Sequence, residues 1–135
     1  MLKAKHIMTK NVISVKKDTP IHKSLELMVK HKITGIPVVE DDMSLVGIIS
    51  EKDVLQLFHT HKDPKGKTVN DFMTEPAIHF DESENLPDVC NFLAKNIFRR
   101  VPITSKGKLV GIISRGDIIA HIVKTRKMAG QELSS

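Results

Sequence analysis

The chain has 135 residues, enough for one compact domain or for two small repeats that share a core. Its net charge of +5 comes from 21 Lys and Arg against 16 Asp and Glu, with no run of five like charges. Five Phe, no Trp and no Tyr leave few rings to stack on bases, so composition argues against a nucleic-acid binder, and the single cysteine, Cys90, excludes an internal disulfide.

The start, MLKAKHIMTKN, lacks the apolar stretch of a signal peptide, and no apolar run approaches the roughly 18 residues of a membrane span. With one unpaired cysteine, this gives the expectation of a cytoplasmic protein without a membrane anchor. A short extended segment, NVISV, comes first. An amphipathic helix follows, with Ile21, Leu25, Met28 and Val29 at i, i+4, i+7 and i+8, and Thr19 before Pro20 as its start. Two apolar runs, 36–39 and 45–50, flank a turn at Asp41-Asp42 and predict a hairpin. A closing helix is expected over 51–61. The linker HKDPKGKT, with Pro64 and Gly66, reads as exposed.

The same order then returns. PAIHF supplies the extended segment. Leu86, Val89, Cys90, Leu93 and Ile97 mark a helix with Ser83 as N-cap. Runs 101–104 and 109–114 form a hairpin about Gly107, and a closing helix covers 115–124. The tail KTRKMAGQELSS is expected to extend that helix and then fray. An offset of 65 residues sets Ile7-Met8-Thr9 on Phe72-Met73-Thr74 and Pro37 on Pro102, and LVGIIS at Leu45–Ser50 recurs as Leu109–Ser114. The fold class is therefore α/β, a β-α-β-β-α unit used twice. Residues 1–66 form the first repeat with its linker, 67–125 the second, and 126–135 a polar tail. Neither repeat buries enough surface alone, so the two are expected to pack together.

Each LVGIIS is followed by an aspartate three residues after its serine, giving Ser50-x-x-Asp53 and Ser114-x-x-Asp117. One reading is a capping box, in which Ser and Asp satisfy the first N–H groups of the closing helix. The other is a ligand site. A helix N-terminus attracts phosphate, a nearby carboxylate can accept both hydroxyls of a ribose, and Gly47 and Gly111 allow a ligand or a backbone to come close.

The order MT, then GIPVV or RVPIT, then GIIS-x-x-D, twice over nearly the whole chain, resembles a tandem pair of cystathionine β-synthase (CBS) domains, or Bateman module. The resemblance implies a pseudo-two-fold pair that binds adenine nucleotides or S-adenosyl-type ligands between its repeats. Carried over, Ser114 and Asp117 would act with Thr34, Gly35, Ile36 and Val12. Ser50 and Asp53 would act with Arg99, Arg100, Val101 and Ile78. The two arginines would draw charged phosphates to the Asp53 cleft, because guanidinium clamps phosphate. Arg115 stands beside Ser114. The resemblance further implies a homodimer and an unidentified effector protein, in a stand-alone sensor with no catalytic cofactor. A ligand-free dimerisation scaffold is the alternative. No nucleophile–base set, P-loop or metal-protease motif is present, so no catalysis is expected. His59-x-His61 places its histidines on different helix faces, which speaks against a metal site. Cys90, Met8 and Met73 read as packing residues.

Overall fold

The computed structural model describes residues 1–59 and 64–134, and in it the helix–hairpin–helix order expected for each repeat appears. A short helix α1 (Ala4–Ile7) precedes α2 (Ile21–His31), the strands β1 (Gly35–Val39) and β2 (Leu45–Ser50), and α3 (Glu51–His59). After a 3-10 turn at Val69–Asp71 come β3 (Phe80–Asp81), α4 (Leu86–Lys95), β4 (Arg100–Ser105), β5 (Lys108–Ser114) and α5 (Arg115–Ser134). No helix among the described residues is long and apolar enough to cross a membrane.

Two compact units result, and they cut across the repeats. One gathers residues 13–78 with 107–109. The other gathers 1–12, 79–106 and the chain from 110 onward. The opening segment of each repeat thus belongs with the other repeat's last strand.

In the unit built on residues 13–78, β1 and β2 form the expected antiparallel hairpin, with Gly35 opposite Ser50 and Val38 opposite Gly47. The segment NVISV contributes a single parallel bridge, Val15 beside Val38, rather than a full strand. Ile21 and Met28 of α2 pack on Ile36, Val38 and Ile49, and Leu57 of α3 and Val69 close the core. Ser24 is fully buried on the same helix face, and its hydroxyl donates to the Ile21 carbonyl at 2.7 Å. Lys32, in the left-handed conformation, ends α2 and donates its N–H to the carbonyls of Met28 and Val29.

Two expectations for α2 are corrected. Val29 is 80% exposed. Eight residues from Ile21 is about 80° around the helix, outside the core stripe. The helix starts after Pro20, because the Thr19 hydroxyl accepts the N–H of Lys16 at 3.0 Å and serves the preceding turn.

In the other unit, β3 runs parallel to β4 with Phe80 opposite Ile103, and β5 lies on the far side of β4. Its core joins Ala4 with Leu86, Val89, Leu93, Val101, Ile103 and Ile113. The N-cap of α4 is Asn85 rather than Ser83, because Ser83 gives both its N–H and its hydroxyl to Asp81. Ile97 is 82% exposed, since α4 ends at Lys95 and Ile97 falls in the connection to β4. α5 runs from Arg115 to Ser134, the tail extending the closing helix as expected. Its sequence has no proline to stop it. α3 ends at His59, and residues 60–63 of the linker, His61 among them, lie outside the described residues.

The two opening segments are held alike. Thr74 and Ile48 exchange both backbone hydrogen bonds at 2.9 Å, as do Thr9 and Ile112. This accounts for the strand glycines. A Cβ on Gly47 would lie 2.7 Å from the Thr74 carbonyl oxygen, and one on Gly111 would lie 2.5 Å from the Met8 sulfur. The close approach that glycine permits is used by the protein's own chain, and Met8 and Met73 are packing residues as expected.

Candidate functional site

The site residues cluster where a strand hands over to a helix. β2 ends at Ser50 and α3 begins at Glu51; β5 ends at Ser114 and α5 begins at Arg115. At the first junction Asp53 Oδ2 accepts the Ser50 N–H at 2.8 Å and the Ser50 hydroxyl at 2.9 Å. The Asp53 N–H points back to Ser50 Oγ at 3.4 Å. At the second, Asp117 Oδ2 accepts the Ser114 N–H at 2.8 Å, and the Asp117 N–H donates to Ser114 Oγ at 3.0 Å. Both pairs are therefore capping boxes in fact. Both carboxylates stay half-buried at the positive end of a helix, where an anion or a hydroxyl can reach them.

The mid-repeat segments lie against the same junctions. The Thr34 carbonyl accepts the N–H of Glu51 at 2.8 Å, and the Arg99 carbonyl accepts that of Arg115 at 2.9 Å. Within their units, Thr34 and Gly35 thus sit beside Ser50, and Arg99 and Arg100 beside Ser114. Ile36 and Val101 are wholly buried in the core. Val12, Thr34 and Gly35 are half-buried, while Ile78 is exposed next to buried Ala77.

The three candidate arginines differ. Arg99 is exposed. Arg100 is half-buried, and its Nε is shielded from solvent without a hydrogen-bond partner among the described residues. Arg115 turns toward α4, where its Nε donates to the Leu93 carbonyl at 3.1 Å and one terminal nitrogen to the Asn96 carbonyl at 2.5 Å. These carbonyls belong to the open C-terminal end of a helix, which favours a cation. That leaves Arg115 partly committed to structure.

One residue escapes a reading of the sequence. The Thr74 hydroxyl donates to Asp53 Oδ1 at 3.1 Å. The repeated Met-Thr pair was visible, but its hydroxyl's target was not. Among the described residues no group of three or more His, Cys, Asp or Glu could hold a metal ion. Cys90 is half-buried on α4, and burial pushes its thiol pKa up, as expected for a packing cysteine.

The CBS domain model matches residues 4–60 and again 69–124. The chain belongs to the CBS domain family. Among solved structures it is similar to CBSX2 from Arabidopsis thaliana in complex with AMP, with 34% identity, a TM-score of 0.84, and 93% of this chain and 99% of that one covered. It is similar also to the CBS domain pair of protein MJ0100 in complex with 5′-methylthioadenosine and S-adenosyl-L-methionine, at 27% identity and a TM-score of 0.76 over 90% of this chain and 99% of that one. The uncharacterized protein YlbB of Bacillus subtilis is 30% identical over 99% of this chain and 90% of its own length. The chain spans 61% of chloroplastic CBSX2 and 41% of the uncharacterized protein MJ1225 of Methanocaldococcus jannaschii. With the family established, the tandem α/β architecture is that of a CBS pair.

Proposed function

We propose that this CBS pair is a regulatory module that binds an adenosine-containing ligand, AMP, ADP, ATP or an S-adenosyl compound, and performs no catalysis of its own. The observation that carries the reading is the twice-built junction in which a strand serine, a half-buried aspartate and a helix N-terminus stand together. Such a junction can offer a carboxylate to a ribose and N–H groups to a phosphate. The AMP-bound and S-adenosylmethionine-bound relatives support it. Arg100, with a free Nε, and exposed Arg99 are the proposed phosphate contacts. Loss of AMP and ATP affinity in Arg99→Ala or Arg100→Ala tests that role; unchanged affinity refutes it.

The output passes to a partner protein, and the module acts as a homodimer. Leu55 and Ile119 fall at the same position of the two closing helices and are 64% and 61% exposed, which suits an apolar contact with a second copy. Light scattering of Leu55→Glu and Ile119→Glu tests the dimer.

The functional test is a thermal-shift screen with AMP, ATP, S-adenosylmethionine and GTP. A ligand at a hundred times its Kd stabilises the native state by about 2.7 kcal/mol, or roughly 10 °C for a chain of this size. A shift with one adenosyl ligand, lost in Asp53→Ala or Asp117→Ala, supports the sensor. No shift at millimolar ligand refutes it and leaves a scaffold held together by capping boxes.

A further inference from the structure

The two junctions have the same sequence pattern but different hydrogen bonding. An ionised carboxylate has room for about four donors. Asp53 already holds three: the N–H and the hydroxyl of Ser50 on Oδ2, and the hydroxyl of Thr74 on Oδ1. Asp117 holds one, the Ser114 N–H on Oδ2; among the described residues its Oδ1 has no donor. Thr9 occupies the place equivalent to Thr74, with the same two backbone bonds to β5, yet its hydroxyl makes no bond to Asp117.

A ribose presents two adjacent hydroxyls, and both must donate to be held by a carboxylate. Asp117 can receive both without change. Asp53 has room for one unless a protein donor lets go. We propose that Thr74 is a positioning residue that sets the ligand preference of Asp53, occupying the acceptor capacity a vicinal diol needs and so leaving Asp117 as the stronger diol site. The inference rests on the adenosyl-ligand reading above and adds to it a rank order of the two junctions and the side chain that creates it.

The test is isothermal titration of AMP and 2′-deoxy-AMP into the full chain. The variants are wild type, Asp117→Ala, and Asp117→Ala combined with Thr74→Val, Thr74→Ala or Thr74→Ser. The Asp117→Ala background reads the Asp53 site alone. Thr74→Val and Thr74→Ala both remove the hydroxyl, so either suffices should the other fold poorly, and Thr74→Ser restores it. The expected result is AMP binding about ten-fold tighter on removal of the hydroxyl, as for one charged hydrogen bond. No gain is expected with 2′-deoxy-AMP or in Thr74→Ser. Unchanged or weaker AMP binding overturns the inference, and so does an equal gain for both nucleotides, because then the diol is not what Thr74 opposes. If no variant, wild type included, binds AMP, the adenosyl reading fails and the inference falls with it. If wild type binds but the Thr74 variants do not differ, only the inference fails.

Discussion

Alanine at the two strand glycines makes a prediction that separates equivalent positions of the repeats. At Gly47 the new Cβ would lie 2.7 Å from the Thr74 carbonyl oxygen and 3.3 Å from the Met73 sulfur. That oxygen accepts the Ile48 N–H at 2.9 Å while the Thr74 N–H donates to the Ile48 carbonyl at 2.9 Å, so this stretch of backbone has no easy retreat. Overpacking costs about 1–3 kcal/mol, and loosening the two backbone bonds adds roughly 0.5–1.5 kcal/mol each. Gly47→Ala should therefore lower stability by about 2–6 kcal/mol, or Tm by roughly 8–24 °C at about 4 °C per kcal/mol. At Gly111 the first atoms met are the sulfur and Cγ of Met8, at 2.5 and 2.7 Å. An unbranched side chain can swing aside, so Gly111→Ala should cost about 1 kcal/mol, near the low end for overpacking.

Denaturant unfolding of both variants, with Met73→Ala and Met8→Ala in double-mutant cycles, measures the difference. Met8→Ala should relieve much of the Gly111→Ala penalty. Met73→Ala should leave most of the Gly47→Ala penalty in place, because the obstacle is backbone. Equal losses at the two glycines, or full rescue of Gly47→Ala by Met73→Ala, would refute the reasoning.

Three further outcomes are expected. Arg115→Ala removes two donors from the C-terminal end of α4 and should lower stability by about 1–2 kcal/mol, seen in chemical denaturation, while Arg115→Lys restores only part of it because an ammonium lacks the planar fork. Asp81 and Asp42 are held below the usual carboxylate pKa of 3.8, Asp81 by the Ser83 hydroxyl and N–H and Asp42 chiefly by the Ser44 N–H. A lowered folded pKa means their stabilisation is complete above 3.8 and is lost as pH falls through the folded value, so Asp81→Asn should lower stability at pH 7 and flatten the profile below pH 4, where the variant and the wild type converge. The Cys90 thiol, raised by burial, should react slowly with a thiol reagent at pH 8 in the folded protein and promptly in denaturant; prompt reaction in the folded state would contradict its placement on α4.

Much of this was legible in the residues. The twofold order of helix, hairpin and helix follows from apolar spacing and from the turns at Asp41-Asp42 and Gly107, and both Ser-x-x-Asp boxes close as the helix-start rule requires. What escaped were properties set by distant contacts. Val29 and Ile97 lie near the apolar stripe by count, but whether they are covered depends on the helix's angle and end. Thr19 and Ser83 were good caps by type and were taken up by nearer partners. Local spacing cannot say that Thr74 meets Asp53, since 21 residues separate them and only the fold brings them together.

The allegiance of residues 1–12 to one unit and 67–78 to the other has a consequence for how such a chain can be divided. A cut in the linker near Pro64 would release two fragments that match the sequence repeats but not the compact units. Each would carry the edge piece that completes the other, and each would leave bare a strand glycine shaped to receive it. Such fragments are mutually incomplete and should reassemble on mixing. By the same logic, a single ancestral repeat could have been whole only by trading its opening segment with a twin before the two were joined into one chain.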